Sequence, residues 1–173
     1  MKFERITLEN FRQYYGRQRL EFAKDKQRKV TVIHGVNGAG KTSLFLAMNW
    51  CLYGSEYVSN VGELISKEVV SRVATSEYVD MSVELSFLHD GERYIVKRSR
   101  RGVKMIDGSV QSNSPDEFAM MRMHGDGQAE RISNPIGTIN AILPANIRTY
   151  FLFDGEKIDE FAKPESAKQV KQV

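Results

Sequence analysis

The residues best suited to chemistry lie at positions 35–42, where the sequence reads GVNGAGKT. The three glycines let the backbone bend until successive amide hydrogens point inward and form an anion site at the start of a helix. A nucleoside triphosphate is the anion that fits, with Lys41 between the β- and γ-phosphates and the Thr42 hydroxyl on Mg²⁺. The motif therefore predicts binding of ATP and Mg²⁺ by the following residues: Asn37, Gly38, Ala39, Gly40, Lys41, Thr42 and Ser43.

A second candidate group is the pair of carboxylates in TYFLFDGEKIDEF, residues 149–161. In one interpretation Tyr150 to Phe153 form a strand that carries Asp154 to magnesium and Glu156 to the attacking water, since side chains two apart on a strand share a side. The chain would then be a complete hydrolase. In the other interpretation the same residues form a loop that senses nucleotide in a site completed from elsewhere.

The glycine-rich loop needs a strand before it and a helix after it. Residues Val30 to His34 form a β-branched run typical of a buried parallel strand. Residues Lys41 to Leu52 are apolar on nearly all sides, which predicts an interior helix that Gly54 ends. The loop therefore stands in the context that phosphate binding requires.

Other elements are expected on both sides of this unit. Alternating residues predict strands at 5–9 and 19–22, separated by a polar turn, and a basic hairpin at 80–101 that turns at HDG. Residues 102–134 show no clear period and predict loop or peripheral structure. A helix is expected from Ser133 to Leu143, and residues 164–173 resemble the start of another, of coiled-coil type.

Length and composition favour one ordinary globular domain. The chain has 173 residues, a net charge of +3 and one cysteine, Cys51, which cannot form an internal disulfide. No window approaches the roughly 18 apolar residues of a membrane span, and the N-terminus lacks a secretion signal. The three histidines lack partners at metal spacing, which argues against zinc. We expect a cytoplasmic protein with no membrane partner.

Six cations fall within twelve residues at the end of the basic hairpin. Such a cluster can neutralise the phosphates of DNA without reading its bases. The alternative is a solvated strand end paired with Glu84 or Glu92. The candidate DNA-binding residues are Arg93, Lys97, Arg98, Arg100, Arg101 and Lys104.

Two stretches, ITLENFRQYYGRQRLEF and VTVIHGVNGAGKTSLFLAMNWCLYG, resemble the N-terminal lobe of SMC-like ATPase heads, including the members that repair DNA breaks. The resemblance implies an α/β P-loop NTPase of the ABC/SMC head type. Residues 1–173 would be a single N-terminal lobe with an antiparallel β subdomain and an incomplete mixed sheet. It also implies that an early antiparallel pair lies over the nucleotide and that Arg12 contacts an ATP phosphate. The alternative for Arg12 is a solvated arginine in a turn.

The same resemblance favours the sensor-loop interpretation of residues 150–158. In the family this loop usually has Gln-Gly at its centre, and here Asp154-Gly155 replaces it. An ionised Asp can hold magnesium but cannot donate a hydrogen bond to orient water. Glu156 is expected to cap the following helix. The FDGEKI run is also similar to DndD-type ATPases of bacterial DNA phosphorothioation systems.

In this family a C-terminal lobe beyond a coiled coil supplies the signature motif and the catalytic glutamate, and two heads close on ATP. The resemblance thus implies a homodimer, DNA and other subunits of a DNA modification or defence complex as partners. This chain alone would be weakly active. Alternatives are a repair or anti-phage ATPase, a self-contained P-loop kinase or hydrolase that uses Asp154 and Glu156, and a nucleotide-binding module without catalysis.

Overall fold

A computed structural model of the protein describes residues 1–24, 27, 29–54, 61–112 and 114–144. The helices are α1 (Lys41–Tyr53), α2 (Lys67–Arg72) and α3 (Pro135–Ile142), with a 3₁₀ turn at Val61–Leu64. The strands are β1 (Lys2–Phe11), β2 (Tyr14–Glu21), β3 (Tyr78–His89), β4 (Glu92–Lys104), β5 (Val110–Gln111), β6 (Glu117–Met123) and β7 (Ala129–Arg131).

The strands form one sheet in the order β2-β1-β3-β4-β6-β7, and β5 pairs with β4. Every pairing among the described residues is antiparallel. The antiparallel subdomain expected from the sequence is therefore present. The parallel part of the expected mixed sheet is not seen in the described ranges.

Helix α1 packs on one face of this sheet. Its residues Trp50 and Cys51 are fully buried, and the Cys51 sulfur lies 3.3 Å from the Val83 carbonyl oxygen on β3. Burial raises the pKa of the Cys51 thiol to about 12, so this cysteine packs as an inert apolar residue. The helix that follows the glycine-rich loop is thus fixed against the centre of the sheet.

Several predicted elements are confirmed. Helix α1 ends at Gly54 with φ 75°, and the basic hairpin turns at Asp90 and Gly91 with φ of 49° and 82°. These left-handed values match a tight hairpin turn. Helix α3 begins after Asn134, whose side chain accepts a hydrogen bond from the Gly137 amide at 3.0 Å.

Residues 102–134 were expected to be loop or peripheral structure, and the loop alternative is wrong because the segment contains three further strands. Strand β6 pairs with β4 along seven positions, from Arg93–Met123 to Ser99–Glu117, and β5 and β7 extend the sheet. Two short Asp-Gly turns, at 107–108 and 126–127, join these strands, and both glycines have positive φ. Pairing with the long β4 strand supplies backbone hydrogen bonds of β5 and β6. The polar, Met-rich composition of residues 102–134 does not predict this pairing.

The two N-terminal strands exist but are longer than predicted. Strands β1 and β2 are joined by Arg12 and Gln13 alone, and Gly16 lies inside β2 with φ 64°. The register shifts between Glu9 and Phe11, where Asn10 has φ 51°. This bulge lets the polar NFRQYYG segment continue the ladder instead of forming a long turn.

The predicted buried strand at 30–34 is not formed within the described residues. Residues 29–36 carry no strand pairing, and Val30 and Val32 are 76% and 83% exposed. A β-branched run becomes a buried strand only when neighbouring strands supply its hydrogen bonds and cover its faces. None of the described strands does so.

Three predictions fall outside the described residues. They are the loop at 150–158 with Asp154 and Glu156, the strand interpretation of Tyr150 to Phe153, and the helix start at 164–173. Within the described ranges, none of the helices has the length and apolar character needed to cross a bilayer.

Candidate functional site

The glycine-rich loop, residues 35–42, leads directly into the first turn of α1. Gly38 and Gly40 have φ of 82° and 104°, values that residues with a side chain rarely adopt. Gly40 is the residue that caps the start of α1, and its carbonyl accepts the Leu44 amide at 2.8 Å. The glycines at these two positions are therefore required by the backbone path.

The Lys41 side chain folds back across the loop. Its amine donates to the carbonyl oxygens of Gly35 at 2.8 Å and Val36 at 3.0 Å. The ammonium group is thus held by neutral acceptors, and among the described residues no carboxylate is paired with it. A phosphate oxygen entering the loop would meet a positioned cation.

The loop amides also suit an anion. The Ala39 amide donates to the Val36 carbonyl at 3.1 Å, whereas no backbone acceptor lies within bonding distance of the amides of Gly38, Lys41 or Thr42 in the described ranges. The first amides of a helix lack intrahelical partners, and the helix dipole favours negative charge there. These amides can bind the phosphates of a nucleotide.

The two hydroxyl residues after Lys41 have different surroundings. Thr42 is exposed at the start of α1, whereas Ser43 is only 4% exposed and packs inside. Thr42 can therefore offer its hydroxyl to a magnesium ion, and Ser43 is a packing residue. The described residues contain no cluster of three or more His, Cys, Asp or Glu side chains that could hold a metal. Thr42 and the phosphates themselves thus fit Mg²⁺, and further protein ligands must come from other residues.

The tip of the β1–β2 hairpin lies against the loop. The Tyr14 hydroxyl donates to the Gly40 carbonyl at 3.0 Å. A Cβ atom on Gly40 would lie 2.9 Å from the Gln13 side-chain nitrogen. The sequence predicted that the early antiparallel pair covers the nucleotide, but it did not single out Gln13 or Tyr14. No local signal marks them, since their role depends on a contact 26 residues away in sequence.

Arg12 lies at the same tip, next to Gln13 in the chain. It is exposed, has φ 50°, and its backbone amide donates to the Leu64 carbonyl at 2.6 Å. Its main chain is therefore fixed while its side chain is exposed to solvent. This placement agrees with a phosphate contact, which stays a prediction.

Neighbouring residues of the tip are structural. Asn10 accepts the Gly16 amide at 3.0 Å and donates to the Asp80 carbonyl at 2.9 Å. The ring of Phe11 is fully buried and lies 5.9 Å from the Trp50 ring in α1. The hairpin is thereby anchored both to β3 and to α1, the helix that follows the glycine-rich loop (residues 35–42, below also called the phosphate loop).

The six cations predicted to bind DNA do not share one surface. In the β3–β4 register Arg98 and Arg100 lie opposite Val83 and Met81, on the face that packs against α1. Lys97 lies opposite Glu84 on the other face. Since successive side chains of a strand alternate between faces, the sequence cluster is divided into two groups of three. Arg98, Arg100 and Lys104 form one group, and Arg93, Lys97 and Arg101 form the other.

Arg98, from the first group, is buried at the end of α1. Its Nε donates to the Cys51 carbonyl at 3.1 Å, and its guanidinium lies 3.7 Å from Asp116 and 4.3 Å from the Phe118 ring. Burial lowers the pKa of Arg98, although an arginine keeps its charge in proteins. Arg98 therefore caps the C-terminus of α1, a role that the charge cluster in the sequence did not reveal.

The other members of this group are also engaged. Arg100 is ion-paired with Asp116. The Lys104 amine donates to the Val73 carbonyl at 2.7 Å. These two cations therefore hold parts of the fold together rather than facing a ligand.

The second group faces solvent. Arg93 pairs with Glu4 at 2.7 Å and Arg101 pairs with Asp80 at 2.6 Å, with arginine side chains 52% and 61% exposed. Lys97 is exposed, and within the described ranges no ion pair of it is found. This outer face is mixed in charge because each of the two arginines is ion-paired with a carboxylate.

Comparison with known proteins gives a family and a fold. A family profile described as AAA domain matches residues 5–173. A solved structure from work on ATP-driven dimerization and DNA-stimulated activation of SMC ATPases superposes with a TM-score of 0.60. It covers 99% of this chain and 98% of that one at 18% identity, a likeness of fold alone.

Curated relatives match parts of the chain. The DNA double-strand break repair Rad50 ATPase of Thermoplasma acidophilum is 34% identical over 94 residues, which are 49% of this chain and 10% of that protein. The Rad50 ATPase of Methanococcus maripaludis is 34% identical over 123 residues, 68% of this chain and 11% of that protein. Arcadin-4 of Pyrobaculum calidifontis is 34% identical over 116 residues, 64% and 13% respectively. The chain thus spans roughly a tenth of the length of these relatives.

Proposed function

Since the chain belongs to the AAA domain family, we propose that it is the ATP-binding part of an SMC-like ATPase that acts on DNA. Its fold is the α/β P-loop fold of an SMC-type ATPase head, N-terminal lobe. The nucleotide is ATP, held with Mg²⁺, and hydrolysis takes place in the full-length protein.

One observation carries the proposal. The loop at 35–42 presents the Lys41 ammonium, the exposed Thr42 hydroxyl and amides for which the described part of the chain offers no backbone hydrogen bond, all at the start of α1. Lys41 and the amides bind phosphate charge, and Thr42 orients the magnesium ion that screens it. Lys41 and Asp154 are our candidate catalytic residues, with Asp154 as a second ligand of the ion.

Hydrolysis requires groups beyond the described residues. Those residues include no cluster of three or more side chains that could bind a metal. The exposed run at Val30 and Val32 is also suited to pairing with further strands. We therefore propose that a C-terminal lobe of the same protein completes the sheet and the site. Two ATP-bound heads then form a homodimer that opens after hydrolysis.

Our finer proposal is a DndD-type role in DNA phosphorothioation, supported by the FDGEKI run at 153–158. The alternative is a repair or anti-phage ATPase, and the Rad50 relatives support repair. The phosphorothioation and repair proposals predict different effects of losing Lys41. Loss of Lys41 abolishes sulfur incorporation into DNA in the first case and leaves it unchanged in the second.

DNA remains the proposed macromolecular partner, with a revised contact surface. Lys97, Arg93 and Arg101 lie on the exposed face of the sheet, whereas Arg98, Arg100 and Lys104 are engaged in the fold. We expect Lys97→Ala to weaken DNA binding at low salt more than at high salt, because it removes a phosphate contact. Other subunits of a DNA modification or defence complex, and a cytoplasmic location, complete the proposal.

Steady-state ATP hydrolysis by the full-length protein, with and without duplex DNA, tests this function. We expect Mg²⁺-dependent turnover that DNA stimulates, a dimer by light scattering with a non-hydrolysable ATP analogue, and loss of both in Lys41→Ala. Equal turnover by Lys41→Ala would contradict the proposal. Rapid turnover by monomeric residues 1–173 would favour the self-contained kinase or hydrolase instead.

A further inference from the structure

A tyrosine hydroxyl from the hairpin bonds to the main chain of the phosphate loop. Tyr14 is the first residue of β2, and its hydroxyl donates to the Gly40 carbonyl at 3.0 Å. Burial raises the pKa of Tyr14, so the hydroxyl stays protonated and able to donate at neutral pH. The contact is a specific polar one between two elements far apart in sequence.

The acceptor of this bond is the residue that sets the direction of the loop amides. The Gly40 carbonyl also receives the Leu44 amide at 2.8 Å, which is the first hydrogen bond of α1. The backbone of Gly40 has φ 104°, and this bend places the next two amides, those of Lys41 and Thr42, at the start of the helix. Two donors thus fix one carbonyl at the point where the loop becomes a helix.

The donor is itself held firmly. Arg12 donates its amide to the Leu64 carbonyl at 2.6 Å, and the Ser66 amide donates to the Asn10 carbonyl at 2.8 Å. Phe11 pairs with Ile65 in an isolated bridge and lies against Trp50. The hairpin tip is therefore fixed on the side away from the loop, and it can transmit that fixed position to Gly40 through Tyr14.

We propose that Tyr14 is a positioning residue for ATP, whose hydroxyl holds Gly40 so that the amides of Lys41 and Thr42 face the triphosphate. This inference rests on the proposed function, and it adds a residue outside the phosphate-binding motif. Tyr14 touches the loop backbone and acts on the nucleotide through it.

Replacing Tyr14 with phenylalanine removes the hydroxyl and keeps the ring, so the packing of the half-buried side chain is preserved. Tyr15 provides a matched control. Its ring lies under the Arg72 guanidinium at 4.7 Å, and no hydrogen bond joins it to the loop in the described ranges. Both variants lose one oxygen atom from neighbouring residues of one strand.

The experiment is titration of full-length protein with a non-hydrolysable ATP analogue and Mg²⁺, at a temperature well below unfolding. We expect Tyr14→Phe to raise Kd about three- to tenfold, the range that one hydrogen bond gives. Tyr15→Phe should bind like the wild type. In hydrolysis assays Tyr14→Phe should raise KM by a similar factor and leave kcat within about twofold, because loop geometry serves substrate and transition state alike.

The outcomes separate this inference from the function on which it rests. Wild-type affinity in Tyr14→Phe overturns the positioning role, as does an equal loss of affinity in Tyr15→Phe. A lower unfolding midpoint in Tyr14→Phe with unchanged Kd would assign the bond to stability alone and also overturn it. Failure of the proposed function looks different, since wild type and Lys41→Ala would then bind the analogue equally.

Discussion

At the residue scale, Gly40 and Gly38 offer a controlled comparison. Both have positive φ, 104° and 82°, where alanine is strained by roughly 1–2 kcal/mol. Only at Gly40 would a Cβ atom also meet other atoms, at 2.7 Å from the Tyr14 hydroxyl, whereas nothing lies within 4 Å at Gly38. The two substitutions therefore share the strain and differ in the clash.

We predict that Gly40→Ala lowers the free energy of unfolding by about 2–4 kcal/mol and Gly38→Ala by about 1–2 kcal/mol. The difference arises because the hairpin tip must move away from a new methyl group at position 40. Urea denaturation followed by circular dichroism measures both. Equal losses of unfolding free energy in the two variants would show that Tyr14 does not restrict the space at Gly40.

Glu4 provides a second prediction at this scale, in pH dependence. Hydrogen bonding by Arg93 lowers the pKa of this buried carboxylate below its ordinary value of 4.5, although burial opposes the shift. A group with a lowered folded-state pKa contributes stability above its unfolded pKa, and that contribution is lost as pH falls through the folded value. The stabilisation by Glu4 should therefore be complete at pH 7 and decline below about pH 4.5.

We expect Glu4→Gln to lower the free energy of unfolding at pH 7 by about 1 kcal/mol, a modest figure because Arg93 is half exposed. The same variant should lose less stability than the wild type as the pH falls from about 6 to about 3. Urea denaturation at pH values about one unit apart measures both profiles. Parallel pH profiles for the two proteins would refute this role of Glu4.

Residue roles were predictable where a local pattern carries them. The placement of Lys41 and Thr42 at the start of α1 follows from motif spacing, because the bend proposed to bind phosphate is made by consecutive residues. The hydroxyl of Tyr14 and the capping by Arg98 depend on contacts 26 and 47 residues distant in sequence. Charge in a sequence cannot say which side of a strand faces the core unless its register is known.

At the scale of elements, helix α1 is held at both ends. At its start, the Gly40 carbonyl accepts a hydrogen bond from the Tyr14 hydroxyl of the hairpin. In its last turn, the Cys51 carbonyl accepts a hydrogen bond from Arg98. Thirteen residues span about 20 Å, so α1 joins the phosphate loop to the middle of β4. A cation at a helix C-terminus also complements the helix dipole.

We predict that Arg98→Leu lowers the free energy of unfolding by about 2–3 kcal/mol, because it removes a charged hydrogen bond and a partner of buried Asp116. Arg101→Leu is the matched control on the same strand, and the loss of its exposed, solvent-screened ion pair should change stability little. Thermal and urea unfolding compare the two variants. Equal effects would mean that Arg98 is an ordinary surface residue.

Elements were predictable when their own residues determine them. Helix α1 and the β3–β4 hairpin follow from local apolar pattern and turn chemistry. Strand β6 and the exposed run from Val30 to Ile33 depend on partners instead. The first has a partner in β4 although its Met-rich sequence shows no clear period, and the second has none among the described strands despite its β-branched composition.

At the scale of the whole molecule, we propose that the described residues are one part of a larger ATPase. They place the hairpin tip, which includes Arg12, against the glycine-rich loop, and they contain no cluster of three or more metal-binding side chains. The chain also spans roughly a tenth of the length of its curated relatives. We therefore propose that these residues bind ATP and that turnover requires the assembled protein.

The most direct test of this account is the affinity of full-length protein for a non-hydrolysable ATP analogue with Mg²⁺, measured by isothermal titration for wild type and Lys41→Ala. We predict one saturable site per chain in the wild type and at least about tenfold weaker binding in Lys41→Ala, since a charge-assisted contact is lost. Equal affinities, or no binding by the wild type, would contradict it.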